Sequence, residues 1–237
     1  METQSQNVMQ DAQLTKVESP EKASSTPFTE FYSLLDQGKL EEAILLLEKI
    51  ASCWEKASLL GCYYGQLGNF SKAEDAFLEA LRHDPDNSET MYNLAVLYND
   101  FFQPCEAKKY MELYLQKEPD DCTSLFIYAT MLLDLDLIDE AYEGFKKVCK
   151  IDSTNAYAIA GLAGILHEKN RPKVALRLLK KAASIKPADP ELLFLLAHVA
   201  WEVGEEISSF NAREMLQLID PKMCAELDER TGRQSWL

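Results

Sequence analysis

The chain has 237 residues, with 39 acidic and 24 basic side chains and a formal net charge of −15. Nucleic acid is not an expected partner of such an acidic chain, because binding to phosphate requires a basic surface. Membrane insertion is not expected either, since no stretch approaches the roughly 20 uninterrupted apolar residues of a membrane-spanning helix.

Residues 1–26 are polar, rich in Gln, Ser, Thr, Glu and Lys, and show no helical periodicity. This composition predicts a disordered leader. The segment has no apolar stretch of the kind that a signal peptide needs, so secretion by that route is not expected.

The six cysteines show no CxxC motif and no paired spacing typical of metal ligands. Several fall at small positions of predicted helices, which favours buried free thiols in a reducing compartment. We therefore predict a cytoplasmic protein with no metal or other cofactor.

A regular spacing of 34 residues runs through most of the chain. Four alanines follow it, each with a large apolar residue four positions later: Ala73 with Phe77, Ala107 with Met111, Ala141 with Phe145, and Ala175 with Leu179. This period indicates a stack of helical hairpins that bury apolar faces against one another. A second column of small residues, which lets paired helices approach closely, consists of Gly61, Ala95, Ala129, Ala163 and Ala197.

The repeat that begins at Trp54 contains Leu60, Gly61 and Tyr64, followed by Ala73, Phe77 and Pro85. This pattern resembles the tetratricopeptide repeat. The resemblance implies an all-α fold, an α-α superhelix (solenoid) of about five to six helical hairpins. It covers residues 27–221, with repeats at about 28–53, 54–87, 88–121, 122–155, 156–189 and 190–221.

The last repeat departs from the pattern, because Ser209 replaces the alanine and Arg213 replaces the large apolar residue. Residues 222–237 are predicted to form a polar C-terminal cap and tail, which solenoids need for solubility. The final Ser235, Trp236 and Leu237 resemble a PDZ ligand.

In tetratricopeptide repeats the first helix of each hairpin lines a concave groove. The resemblance therefore implies that the groove of this chain is lined by residues from corresponding positions, several of them aromatic. Aromatic side chains on an open surface commonly mark a protein interface. The candidate groove residues are Tyr92, Asn93, Val96, Asn99, Phe126, Thr130, Tyr157, His167, Phe194, His198 and Trp201.

These residues favour a protein-interaction scaffold or adaptor that holds an apolar protein segment with basic flanks. The family's clamp for the C-terminal carboxylate of heat-shock chaperones is not expected. Only Asn93 matches it, whereas Ser58 and Thr123 stand at positions where the clamp needs lysine.

Two alternatives remain. The segment from Phe31 to Ala43 is loosely similar to bacterial type III secretion translocator chaperones, which suggests a dedicated chaperone for one client. The other is a self-assembling structural protein, since residues 156–189 carry seven basic and two acidic side chains in an otherwise acidic chain. The second candidate surface is this basic patch, formed by Arg171, Lys173, Arg177, Lys180 and Lys181.

No sequence motif indicates an enzyme, since the chain has no P-loop, dinucleotide-binding glycines, nucleophile elbow or HExxH. The acidic run from Asp134 to Glu140 lacks the glycine and the terminal glutamate of a calcium loop. Helix capping accounts for it.

Overall fold

The computed structural model describes residues 26–232, which contain thirteen α-helices and no β-strand. The predicted all-α solenoid of helical hairpins is confirmed. The helices are α1 (Thr26–Asp36), α2 (Leu40–Lys49), α3 (Trp54–Gln66), α4 (Phe70–His83), α5 (Ser88–Asp100), α6 (Pro104–Lys117), α7 (Cys122–Asp134), α8 (Ile138–Ile151), α9 (Ala156–Glu168), α10 (Pro172–Ile185), α11 (Pro190–Glu202), α12 (Glu206–Ile219) and α13 (Pro221–Thr231).

The helices fall into two compact units, divided between Pro119 and Asp120. The N-terminal unit contains α1 to α6, and the C-terminal unit contains α7 to α13. The leader predicted for residues 1–26 lies outside the described residues except for Thr26, which starts α1. The C-terminal PDZ-like residues also lie outside the described part.

The two helices of each hairpin are joined by a tight turn that contains one residue with a positive φ angle. Glycine occupies this position at Gly68 (φ 72°) and Gly204 (φ 76°), as expected for the left-handed region. In the three hairpins between them it is occupied by Phe102, Asp136 and Asn170, with φ of 57° to 59°. Asp and Asn adopt this conformation more readily than other non-glycine residues, so Asp136 has a structural role in its turn.

The predicted columns of small and large residues form the contacts between helices. All four alanines of the 34-residue period are fully buried, and their large partners are at most 2% exposed. At Gly61 the helix backbone meets the Phe77 ring so closely that an added Cβ would lie 2.5 Å from Phe77 Cδ1. The small residues are therefore required by close helix packing.

Asparagine or aspartate caps the first helix of successive hairpins, at Asn87, Asp121, Asn155 and Asp189. The backbone N–H of Thr90, for example, donates to Asn87 Oδ1 at 2.8 Å. These side chains satisfy amide groups that have no partner within the helix. Capping thus explains Asp121 in the acidic segment after Glu118, whereas Asp86, which follows Asp84, pairs with Lys117.

The degenerate last repeat retains its packing through polar substitutes. Ser209 is 2% exposed, and its hydroxyl donates to the Ala197 carbonyl at 3.0 Å. Arg213 donates two hydrogen bonds to Asp228 of α13, at 2.7 and 2.5 Å. Pro221 starts α13 at a position where proline costs no helical hydrogen bond.

The six cysteines are all free thiols, but only Cys62 and Cys224 are buried. Burial raises the pKa of the Cys62 thiol to about 12, so it stays protonated. Cys105 is exposed, and the other three are half-buried. The prediction of buried thiols therefore holds for two of the six.

Candidate functional site

The candidate groove residues of the N-terminal unit belong to its core. Tyr92, Asn93 and Val96 are 4%, 0% and 3% exposed, and Asn99 is half-buried. The Tyr92 ring packs against Tyr114 with a centroid separation of 5.4 Å. Tyr92 was predicted to be an exposed anchor, whereas α5 is buried from Thr90 to Tyr98 because α3, α4 and α6 pack around it.

Asn93 was expected to offer a hydrogen bond to a ligand. In the structure its Nδ2 donates to Cys62 Sγ at 3.6 Å, joining α5 to α3. Its Oδ1 atom is buried and accepts no hydrogen bond within the described part of the chain. Asn93 therefore lies between helices rather than on a surface.

The C-terminal unit places several candidate residues on one side of α9 and α11. At the N-terminal ends of the two helices, the Tyr157 hydroxyl donates to Asp189 Oδ2 at 2.7 Å. Lys186 Nζ donates to the same hydroxyl at 3.0 Å and lies 4.1 Å from the centroid of the Tyr157 ring. These contacts fix the Tyr157 ring between α9 and α11 while leaving it half-buried.

At the C-terminal ends of α9 and α11, His167, His198 and Glu202 form a histidine cluster. The Glu202 carboxylate contacts His167 Nε2 and lies 3.8 Å from His198 Nε2. The two imidazole rings are 6.1 Å apart, and His198 also stacks on Phe194 at 6.5 Å. The cluster therefore joins α9 to α11 through one carboxylate.

The environment of His198 disfavours its protonated form. Burial lowers the pKa of His198, and the positive charges of His167 and Arg230 act in the same direction, whereas Glu202 raises it. The net effect is a pKa below the ordinary value for histidine.

The histidine cluster should make stability depend on pH. A lowered folded-state pKa means that the unfolded chain binds the proton more readily. The contribution of His198 to the free energy of unfolding is therefore fully present above the unfolded-state pKa of about 6.5. It is lost as the pH falls through the lower folded-state pKa. We expect the thermal midpoint of the wild type to fall more between about pH 7.5 and about pH 5.5 than that of His198→Gln.

The matched control is His83→Gln, which removes an exposed histidine from α4 of the other unit and should retain the wild-type decrease. An equal decrease in the wild type and in His198→Gln would contradict the prediction.

Phe194 was also predicted to be an open anchor, but it is only 9% exposed. Helix α13 packs against α11 and α12, and the Arg230 guanidinium carbon lies 5.2 Å from the centroid of the Phe194 ring.

Phe126, another candidate groove residue, is half-buried, and its ring centroid lies 5.7 Å from that of Phe145. The Thr130 hydroxyl donates to the Phe126 carbonyl.

The open part of this surface surrounds a glycine. Gly164 is exposed in the middle of α9, and a Cβ placed on it would meet no atom within 4 Å. Trp201, on α11, is 39% exposed. We call this surface the α9/α11 face, defined by Tyr157, Gly164, His167, His198 and Trp201.

The basic patch lies on α10 and its N-cap. Arg171, Lys173, Arg177, Lys180 and Lys181 are all exposed. Lys180 Nζ lies 3.0 Å from Glu205 at the start of α12, which offsets part of the positive charge within the same unit.

Within residues 26–232, no group of three or more histidine, cysteine, aspartate or glutamate side chains could hold a metal ion. None of the described helices has the length and apolar character needed to span a membrane.

Comparison with known proteins identifies the repeat. Models of the tetratricopeptide repeat match residues 54–87 and 76–113. Tetratricopeptide repeat protein 8 of Mus musculus is 32% identical over 123 residues, which are 52% of this chain and 24% of that protein. The chain thus spans about a quarter of the length of this relative.

Solved structures share the fold at low sequence identity. A tetratricopeptide repeat protein from Parabacteroides merdae is 17% identical and has a TM-score of 0.72, with 87% of this chain and 86% of that chain covered. YrrB, described as a TPR protein with an unusual peptide-binding site, is 21% identical with a TM-score of 0.61, covering 78% and 93%. The chain therefore contains tetratricopeptide repeats within residues 54–113, and it shares the fold of solved tetratricopeptide repeat proteins over most of its length.

Two features of this region were not singled out from the sequence. Glu202 does not stand at a position that lines the family's groove, although it lies four residues after His198 on the same helix. Gly164 does stand at such a position, but a glycine offers no side chain that would mark it as a binding residue. The sequence does contain one signal for Gly164, because an isolated glycine is unfavourable inside a helical segment and indicates a packing or functional reason.

Proposed function

We propose that the chain is a non-enzymatic scaffold or adaptor that binds a protein segment on the α9/α11 face. The observation that carries the proposal is the open space at Gly164. A glycine within a helix costs about 0.5–1 kcal/mol relative to alanine. Packing accounts for Gly161 in the same helix, since a Cβ there would lie 2.8 Å from Phe145 Cζ. No such contact explains the glycine at position 164 within the described residues. We therefore propose that Gly164 keeps the backbone of α9 accessible to a partner.

The surroundings of Gly164 suit an apolar side chain of the bound segment. Such a side chain could approach the α9 backbone at Gly164, with the partly exposed rings of His198 and Trp201 on the neighbouring helix. Glu202 adds a negative charge that is 40% exposed, which favours basic residues beside the apolar anchor. The proposed partner is therefore the apolar segment with basic flanks that the sequence predicted. Its proposed site is one face of the C-terminal unit.

The family supports this proposal, because its members bind protein partners. YrrB has a peptide-binding site according to its description, and we extend peptide binding to this chain as part of the proposal. A cytoplasmic location, as predicted from the sequence, would suit a scaffold of this kind.

A random-peptide display selection on the purified chain, followed by fluorescence anisotropy with the selected peptides, tests the proposal. Gly164→Leu fills the open space, and leucine has a better helix propensity than glycine, so the fold should be retained. We expect it to weaken binding at least about tenfold. The matched control is Ser184→Leu, which places the same side chain on the exposed surface of α10.

Selected peptides that bind the wild type and Gly164→Leu equally well would refute the α9/α11 face as the site. Trp201→Ala provides a second test, because it removes an exposed ring without filling the space and should also weaken binding. If no peptide is selected, the proposed function itself fails.

A further inference from the structure

The outer surface of α12 carries an exposed apolar stripe. Its side chains account for half of the large hydrophobic residues that are exposed in the described part of the chain. The α12 stripe consists of Ile207 (79% exposed), Phe210 (56%), Met215 (41%), Leu218 (80%) and Ile219 (40%).

The fold does not require apolar residues at the two most exposed positions. In the second helices of the four preceding hairpins, the residues that correspond to Ile207 in the 34-residue spacing are all exposed and are Lys173, Asp139, Cys105 and Ser71. The position of Leu218 is occupied by Ser184, Lys150, Gln116 and Arg82, also exposed. Apolar side chains here therefore distinguish α12 from the other second helices, and a contiguous exposed patch of this kind marks an interaction surface.

The order of residues along α12 makes its surface complementary to itself. When two copies of a helix pair in antiparallel fashion about a two-fold axis, residues equally distant from the axis face each other. An axis between residues 212 and 213 places Ile207 opposite Leu218 of the second copy, and Phe210 opposite Met215. The same axis places Asn211 opposite Glu214, so that an amide donor faces a carboxylate and no like charges meet among these three pairs. From this arrangement we infer that the chain forms a two-fold symmetric dimer through the α12 stripe.

The exposed area is sufficient for a weak, specific dimer. Five large side chains exposed to this degree present roughly 600 Å² of surface per copy, and two copies would bury about 1,200 Å², the lower limit for a specific interface. Buried area does not by itself set affinity, but interfaces at this lower limit belong to weak complexes, so we expect a dissociation constant on the order of micromolar. This inference is independent of the proposed binding at the α9/α11 face.

Salt distinguishes this dimer from the association through the basic patch that the sequence suggested. Added salt screens attraction between basic and acidic surfaces and would weaken that association. It also screens the repulsion between two copies of charge −15. We therefore expect salt to preserve or strengthen a dimer that is held by the apolar α12 stripe.

Sedimentation equilibrium of the full chain at about 100 μM tests the inference. We expect twice the monomer mass of 26.9 kDa for the wild type and a predominantly monomeric Ile207→Lys/Leu218→Ser variant. This variant introduces the residues that α10 carries at the same positions, so its fold should be retained. The matched control Leu45→Lys changes an exposed leucine on α2 and should remain dimeric.

A charge exchange tests the predicted register. Ile207→Lys and Leu218→Glu should each weaken the dimer at least about tenfold, because each places a charge against an apolar residue. A mixture of the two variants should form a heterodimer, since the lysine at 207 then faces the glutamate at 218. A monomeric wild type, or dimers that persist in both single variants, would overturn the inference. A mixture that stays monomeric would overturn the antiparallel register.

Discussion

Gly61→Ala is expected to destabilise the N-terminal unit by about 2 kcal/mol, because the added methyl group would overlap a buried ring. Its Cβ would lie 2.5 to 2.7 Å from three atoms of Phe77, including Cγ, the ring atom that is bonded to the Phe77 Cβ. Phe77 is fully buried and cannot move aside without disturbing α3 and α4. Overpacking typically costs about 1–3 kcal/mol, from which the better helix propensity of alanine removes up to about 1 kcal/mol.

Urea unfolding measures this change, with Gly164→Ala as the matched control. The same substitution at Gly164 meets open space and should raise the free energy of unfolding by about 0.5–1 kcal/mol. Phe77→Ala removes all three atoms that clash, so Gly61→Ala should cost less in that background than in the wild type. If Gly61→Ala is neutral, or costs the same in both backgrounds, the proposed overlap is wrong.

Asp228→Ala is expected to destabilise the C-terminal unit by about 2 kcal/mol and to loosen α13. The Asp228 carboxylate accepts two hydrogen bonds from Arg213 and raises the pKa of its guanidinium. Removing one partner of a fully buried ion pair costs about 3–5 kcal/mol. The two side chains here are 21% and 17% exposed, and solvent lowers that cost.

Urea unfolding gives the loss of stability, and hydrogen exchange should show faster exchange in α13 than in the wild type while α9 is unchanged. The matched control is Glu226→Ala, which removes an exposed pair with Arg230 on the same helix and should cost less than about 0.5 kcal/mol. Unchanged exchange in α13 of Asp228→Ala would show that apolar packing alone holds the helix.

The sequence predicted the hairpin architecture well because its determinants are local. Ala73 and Phe77, for example, lie one helical turn apart, and their columns recur at a constant spacing along the chain. Close helix packing requires a small residue at one position and a large one at the other, whatever the function of the protein. The pattern therefore locates the paired helices without further information.

The open surface could not be predicted in the same way, because it depends on which helices cover which residues. Tyr92 and Phe194 stand at positions that line the groove in the family, yet neighbouring helices bury both. Phe194 is covered by α13, which the sequence identified only as a cap. Arg213 departs from the repeat pattern, and its partner Asp228 lies 15 residues later, where the repeat pattern does not indicate it.

The tight turns between paired helices have a consequence for how the chain folds. Most contacts between helices join neighbours in sequence, and each hairpin turn closes a loop of only a few residues. The entropy lost on closing such loops is small, and a low contact order favours fast folding. Folding can start at any hairpin and spread to the next. A substitution should therefore change the local opening of its own hairpins more than that of distant ones.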